Sequence, residues 1–166
     1  GPAVVLLPSV GGNPGHIELL NSIAHGLGQH GMTAFAVKTE AVSPPRIDKL
    51  LAHAEHAVAY LRAQATVDSR QIGVLGVGLG ACIAARLLTT DSRLRSAAFV
   101  SAIRDVRVLD GKHWFWSWGE RGGQRLRMDK DWMSHAASSG FEEAYADVEV
   151  PTLLIHGNRD VIVPLQ

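Results

Sequence analysis

The sequence lacks several features that would direct it to a particular environment or partner. Its 166 residues include one cysteine, Cys82, so no internal disulfide can form and a reducing compartment suits the chain. Lysine plus arginine number 16, as do aspartate plus glutamate, so no net field attracts nucleic acid or an anionic membrane. No apolar run reaches the roughly 18 residues of a membrane-spanning helix. We therefore expect a cytoplasmic protein with neither a nucleic-acid nor a membrane partner.

Apolar segments alternate between the spacing of a strand and the spacing of a helix. Five short runs have the length of buried strands: 3–7, 33–37, 72–75, 97–100 and 152–155. Helical spacing lies between them, as at Ile47, Leu50, Leu51 and Ala54. This order predicts one α/β domain over 1–166, with a mostly parallel sheet and helices on both faces.

A stretch at about 104–146 interrupts that order. It is rich in tryptophan, arginine and glycine and shows neither spacing, so an irregular excursion from the sheet is expected there. Its aromatic segment 113–118 could form part of a lid over a site, or could pack the excursion onto the core.

A glycine-rich turn at 76–81 (Gly-Val-Gly-Leu-Gly-Ala) joins the third predicted strand to the third predicted helix. In a G-x-S-x-G elbow, the middle residue of such a turn projects a nucleophile at the start of a helix. The helix end and the backbone N–H of the next residue stabilise the oxyanion that forms. The middle position is Gly78, which has no side chain, so this elbow lacks a nucleophile.

The same turn fits a second motif, the dinucleotide fingerprint G-x-G-x-x-A, through Gly76, Gly78 and Ala81. A ribose-binding acid should then follow about 20 residues later, at the end of the next strand. That strand runs into 100–102 (Val-Ser-Ala), which contains no acid, and two strands precede the motif. A dinucleotide-binding oxidoreductase therefore stays as an alternative that is supported by the glycine motif alone.

Several segments together resemble the α/β-hydrolase superfamily, of the dienelactone-hydrolase and serine-esterase kind. Residues 3–12 are similar to its first strand and oxyanion loop, and 67–76 to its approach to the elbow. Residues 78–81 resemble the elbow, and 151–164 resemble the strand and acid loop. The resemblance implies an α/β-hydrolase-type sheet that ends before the last strand, acyl transfer to water as the parent chemistry, and no cofactor or metal.

The resemblance also implies roles for single residues. Asp160 matches the triad acid, which orients the histidine base. The backbone amides of Val10 and Leu79 match the two oxyanion donors. The catalytic histidine has no match, and we expect it beyond Gln166. Because the loops of Val10, Gly78 and Asp160 each follow a predicted strand, they should converge at one edge of the sheet.

Further residues are candidates for binding a substrate. Ser9 stands in the oxyanion loop, His16 follows it, and Trp114 and Trp116 belong to the aromatic segment. Ordinary packing or solvation is the alternative for each of them. Cys82 lies inside the predicted helix, four residues past the elbow position, so we interpret it as a core residue rather than a displaced nucleophile.

These observations lead to three functional hypotheses. The first is a relative of carboxylic-ester and dienelactone hydrolases, inactive as given because Gly78 replaces the nucleophile. The second is a natural pseudoenzyme that keeps the pocket as a ligand- or partner-binding module. The third is the dinucleotide-binding oxidoreductase. The first two predict a small ester- or lactone-like ligand, and none of them fixes an oligomeric state.

Overall fold

The computed structural model describes residues 1–9, 14–38, 46–109, 116–117, 124–125, 130–161 and 163–165. The strands in chain order are β1 (Ala3–Leu7), β2 (Thr33–Ala36), β3 (Ile72–Val77), β4 (Ala97–Val100), β5 (Trp116–Ser117), β6 (Gln124–Arg125) and β7 (Thr152–Ile155). The helices are α1 (Pro14–Gln29), α2 (Ile47–Arg62), α3 (Leu79–Thr90), α4 (Lys130–Ala137) and α5 (Phe141–Ala146), with a 3-10 turn at Val106–Leu109.

The main sheet of the described chain has five strands in the order β2-β1-β3-β4-β7. Every neighbouring pair is parallel, so the carboxyl ends of all five strands lie along one edge. Strands β5 and β6 form a separate antiparallel pair. The parallel α/β sheet predicted from the alternation of apolar runs is confirmed.

Helices cover both faces of this sheet, and the strand residues divide between the faces with a period of two. On one face, Val5 and Val74 join the core formed with α2, α3 and α5. On the other face, Leu6 and Leu75 pack with α1, through Leu20. Strand β3 is buried along its whole length because it has strands on both sides and helices above and below.

The boundaries differ slightly from the predicted ones. Strand β3 continues to Val77, and β2 ends at Ala36. Gly31, two residues after the end of α1, has a φ of 73°, a left-handed conformation that glycine adopts without strain. Helix α2 begins at Ile47, the first of the residues at which helical spacing is predicted.

The region 104–146 is more regular than its composition predicted. Helices α4 and α5 occupy much of its second half, which corrects the expectation of irregular structure there. Their buried residues belong to the main core: Trp132, Ala136, Phe141 and Ala144. Apolar residues three or four apart produce these helices, but each helix is too short to show a clear period. No described helix is long and apolar enough to cross a membrane.

Candidate active site

The glycine-rich turn has the backbone of a sharp elbow between β3 and α3. Gly78 has φ 56° and ψ −119°, a combination that residues with a side chain rarely adopt. Its N–H donates to the Val100 carbonyl at 2.9 Å, and its own carbonyl accepts from the Ala81 N–H at 3.0 Å. The turn is therefore held by its backbone, and it directs residue 78 to the carboxyl edge of the sheet.

The two outer glycines of the motif allow α3 to start close to the strands. A Cβ on Gly76 would overlap the carbonyl oxygen of Gly80, and a Cβ on Gly80 would overlap the carbonyl oxygen of Leu7. Both obstacles are backbone atoms, which cannot move without displacing a strand or a helix. Steric necessity thus explains both glycines without any bound nucleotide.

The middle glycine has a different neighbour, the side chain of Ser9. A Cβ on Gly78 would lie 2.6 Å from the Ser9 hydroxyl oxygen and 3.1 Å from the Ser9 Cβ. Ser9 is 8% exposed and is the only polar or charged residue in the buried core of the described chain. Its hydroxyl therefore stands beside the position from which a nucleophile would project.

Two hydrogen-bond donors next to Gly78 make no hydrogen bond within the described part of the chain. Among the hydrogen bonds of the described residues, none involves the Ser9 hydroxyl or the Leu79 N–H. Leu79 is the first residue of α3, where backbone N–H groups have no intrahelical acceptor. The start of α3 therefore carries an amide donor directly after the elbow residue Gly78.

The acid loop after β7 is closed by its own hydrogen bonds. The Val163 N–H donates to the Asp160 carboxylate at 2.9 Å, and the Asp160 N–H donates to the Gly157 carbonyl at 3.1 Å. His156 Nε2 lies 2.7 Å from the Val163 carbonyl oxygen and 3.8 Å from the Asp160 carboxylate. His156 therefore holds the loop that presents Asp160.

His16 lies in the first turn of α1, and the charge of Asp160 affects its titration. Burial lowers the pKa of His16 below its ordinary value of 6.5, and the negative charge of Asp160 raises it in part. The His16 Nδ1 atom is buried and has no hydrogen-bond partner among the described residues. The electrostatic effect of Asp160 on His16 indicates that both lie at the same edge of the sheet.

Strand pairing brings the elbow and the acid loop together. Strands β3, β4 and β7 are consecutive in the sheet, so Gly78 and Asp160 follow strands that are two spacings, about 10 Å, apart. The Ser101 N–H, just after β4, donates to the Ile155 carbonyl at 2.8 Å. Ser101 has a φ of 47°, a strained conformation for a residue with a side chain. Neither its strain nor its place at this edge was anticipated, because no local pattern signals a left-handed serine.

Other predicted site residues lie outside the described region. Val10 and Trp114 are not among the described residues, and only the backbone of Trp116, in β5, is described. Their proposed roles stay predictions.

Cys82 is a core residue. It is fully buried in α3, and burial raises the pKa of its thiol to about 12 despite the hydrogen bonds around it. The thiol donates to the Ile103 carbonyl at 3.2 Å, and the Tyr145 hydroxyl donates to the sulfur at 3.6 Å. A buried, protonated thiol is a poor nucleophile.

A cavity of about 200 Å³ lies away from the elbow, between the 3-10 turn and helices α4 and α5. Four of its five charged residues form two ion pairs, Arg104 with Glu142 at 2.5 Å and Arg107 with Asp105 at 2.7 Å, and the fifth is Glu143. The described residues contain no cluster of histidine, cysteine or acidic side chains able to hold a metal ion. The elbow is therefore the better candidate for a functional site.

Comparison of the sequence with family models assigns the chain to a known family. The family model of the prolyl oligopeptidases, peptidase family S9, matches residues 50–166. The chain belongs to the prolyl oligopeptidase family. The matched region includes Gly78 and Asp160 but not Ser9 or His16, and no curated protein matches the chain significantly.

Solved structures show the same fold as this prolyl oligopeptidase family member. The α/β hydrolase GrgF from Penicillium sp. sh18 has a TM-score of 0.63 at 16% identity, over 99% of this chain and 74% of its own. The esterase domain of a Rhodothermus marinus protein has a TM-score of 0.64 at 16% identity, over 98% and 66%. ATU1826 of Agrobacterium tumefaciens, a protein of unknown function grouped with α/β hydrolases, has a TM-score of 0.64 at 14% identity, over 99% and 63%.

These matches confirm the resemblance to the α/β-hydrolase superfamily and its fold. At such identities the structural likeness concerns the fold alone. The chain spans 63% to 74% of the length of these three proteins, so the activity of a whole protein of this family is a matter for proposal.

Proposed function

We propose that this member of the prolyl oligopeptidase family derives from carboxylic-ester and dienelactone hydrolases and has become a binding protein. Its elbow site takes an ester-, lactone- or acyl-type small molecule and does not form a covalent intermediate. The observation that carries the proposal is the elbow itself, where Gly78 has the backbone of a sharp strand-to-helix turn and no nucleophilic atom.

The features that support binding depend on the backbone. The Leu79 N–H is available to an oxygen of the ligand, as an oxyanion donor would be. Val10 N–H is the second donor in this proposal, and Asp160 keeps the place of the triad acid. A carbonyl group could therefore be held and polarised at α3, although no side chain at residue 78 can attack it.

A fluorophosphonate probe tests whether covalent catalysis has been lost, because it labels activated serine nucleophiles. We expect the intact mass of the protein to stay unchanged after incubation, while an active serine esterase in the same assay is labelled completely. Stoichiometric labelling of any residue at the elbow, Ser9 included, would contradict the proposal.

An NMR titration tests the second part of the proposal, that the elbow binds a small ester or lactone. Ethyl butyrate and δ-valerolactone serve as neutral ester and lactone probes, titrated into 15N-labelled protein. We expect the largest amide shifts at Leu79 and its neighbours, with little change at exposed amides such as Ser69. If neither probe, nor butyrate, shifts the Leu79 amide, the elbow is not a binding site and the proposed function is wrong.

A further inference from the structure

We infer that the outer edge of strand β7 joins two copies of this chain into a dimer. The two β7 strands run antiparallel, and a two-fold axis normal to the sheet passes between the two copies of Leu154. Strand β7 is two strands away from β3 and the elbow, so the dimer does not depend on the ligand proposed for that site.

Strand β7 is apolar but exposed along its whole length. Its sequence is Thr-Leu-Leu-Ile, with no charged residue, and it ends the main sheet. Leu153, Leu154 and Ile155 are 58%, 71% and 48% exposed. Leu153 and Ile155 point to one face of the sheet and Leu154 to the other, next to Phe99 of β4. An apolar edge strand exposed on both faces is a template for pairing with another strand.

The backbone of β7 directs hydrogen-bonding groups to its outer side at Leu154. The carbonyl of Pro151 points to β4 and accepts from the Ala97 N–H at 3.0 Å. The carbonyl of Ile155 points the same way and accepts from the Ser101 N–H at 2.8 Å. Since backbone groups of successive strand residues point to alternate sides, the N–H and C=O of Leu154 point away from β4. On that side, β7 has no neighbouring strand in the described part of the chain.

A second copy of the chain fits this edge because the edge is complementary to itself. In an antiparallel pair, two opposite residues whose backbone groups point to each other exchange both hydrogen bonds, as Leu154 can with Leu154 of the second copy. This register sets Leu153 opposite Ile155 of the second copy, twice, so every apolar side chain faces another apolar one. An axis at Leu153 would instead set Thr152 opposite Leu154.

The charges on either side of β7 are complementary in the same arrangement. Glu149 precedes the strand and Arg159 follows it, and both are exposed. Neither takes part in an ion pair with another described residue. Antiparallel pairing brings the start of one β7 beside the end of the other, so Glu149 of each copy approaches Arg159 of the second copy. The formal net charge of zero adds no repulsion between copies.

Sedimentation equilibrium over a wide range of concentrations tests the dimer. The contact is small, so we expect a weak dimer, of twice the 17.8 kDa mass of the chain, that dissociates on dilution. Leu154→Lys places two like charges at the axis and should raise the dissociation constant at least about tenfold. Ile17→Lys, at an exposed apolar residue of α1, is the matched control and should change it less than about twofold.

Two further sets of variants test the register. Glu149→Arg and Arg159→Glu should each weaken the dimer about threefold or more, and the double variant should restore it. In a hydrogen-bonded antiparallel pair the Cα atoms are about 5.5 Å apart, which a disulfide can bridge. Oxidised Leu154→Cys should therefore run as a covalent dimer on a non-reducing gel, and Ile17→Cys should not.

Several results would overturn the dimer or its register. A monomer at every concentration would leave the β7 edge without a second copy. Assemblies that grow beyond two chains would exclude a two-fold contact, because such a contact closes on itself. A dimer that Leu154→Lys leaves intact, that the charge exchange does not restore, or that Leu154→Cys does not link would use another surface.

Discussion

The Ser9 hydroxyl oxygen lies 2.6 Å from the point where a Cβ on Gly78 would be. The two residues are 69 positions apart and meet because β1 and β3 are neighbours in the sheet. A side chain at residue 78 and the present rotamer of Ser9 are therefore mutually exclusive. The side chain that residue 78 can carry therefore depends on the conformation of residue 9.

Gly78→Ser should fold but be less stable than the wild type, by about 1–3 kcal/mol. Part of this cost comes from the positive φ, and part from displacing the Ser9 hydroxyl. In Gly78→Ser/Ser9→Ala, the second part of the cost becomes smaller, because the hydroxyl oxygen is absent and only the residue 9 Cβ, 3.1 Å from the added Cβ, is left. A double-mutant cycle by urea unfolding should give a coupling of at least about 0.5 kcal/mol in favour of the double variant. Strict additivity of the two changes would show that the side chains do not meet.

Gly80→Ala should be far more damaging, since its Cβ would overlap the Leu7 carbonyl oxygen and lie 2.6 Å from that of Pro8. No flexible side chain can yield there, and we expect a loss of about 3 kcal/mol. Gly26→Ala is the matched control. Gly26 lies inside α1 with no atom within 4 Å of the added Cβ, so this change should stabilise by about 0.5–1 kcal/mol. Thermal and urea unfolding of both variants measure the difference, and equal stabilities would refute the close approach of α3 to β1.

Local patterns were sufficient for the elements that position the site. The apolar runs that form β1, β3 and β4 have the length of strands. The turn at 76–81 is recognisable from its three glycines. Helices α4 and α5 were missed because eight and six residues are too few for a helical period to emerge.

Tertiary relationships explain the remaining gap between sequence and structure. The contact of Ser9 with Gly78 depends on strand pairing across 69 residues, and the left-handed Ser101 depends on the turn after β4. Neither the contact nor the left-handed serine produces a pattern in the neighbouring sequence. Motif resemblance singled out the glycine-rich turn, and the role of Asp160 as triad acid stays a prediction. Only the fold shows that the Ser9 hydroxyl stands beside that turn.

A second region suited to a quantitative test is the ion pair between Arg62 of α2 and Asp91, which follows α3. Both side chains are about 85% buried, and Arg62 Nη1 bonds the Asp91 carboxylate while its Nε and Nη2 have no hydrogen-bond partner among the described residues. Asp91→Ala should therefore destabilise by about 3–5 kcal/mol, because it leaves a buried charge without its partner. Arg93→Ala removes the second, exposed partner of Asp91, and should cost less than about 1 kcal/mol in urea unfolding. A similar loss in the two variants would contradict this distinction.

The pH dependence of the same pair has a definite sign. Burial raises the pKa of Asp91, but hydrogen bonds from Arg62 and Arg93 outweigh it and bring the pKa to about 2. Because the folded pKa lies below the unfolded one of about 3.9, this contribution is present above about pH 4 and is lost as pH falls through 2. Asp91→Asn should show a smaller loss of stability than the wild type between pH 4 and pH 2. Parallel curves for the two proteins would mean that Asp91 ionises as freely in the folded state as in the unfolded one.

Titration of His16 tests whether the acid loop and the start of α1 share one edge of the sheet. Burial lowers the pKa of His16, and the negative charge of Asp160 opposes that effect. Asp160→Asn removes this charge while keeping an oxygen that can accept from the Val163 N–H, so the loop should persist. The pKa of His16, followed by NMR of its ring protons, should therefore fall further in Asp160→Asn. Asp147→Asn, an exposed change after α5, should leave it where it is in the wild type. An unchanged His16 pKa in Asp160→Asn would place Asp160 away from the elbow edge, and the assignment of Asp160 to the triad-acid position would fail with it.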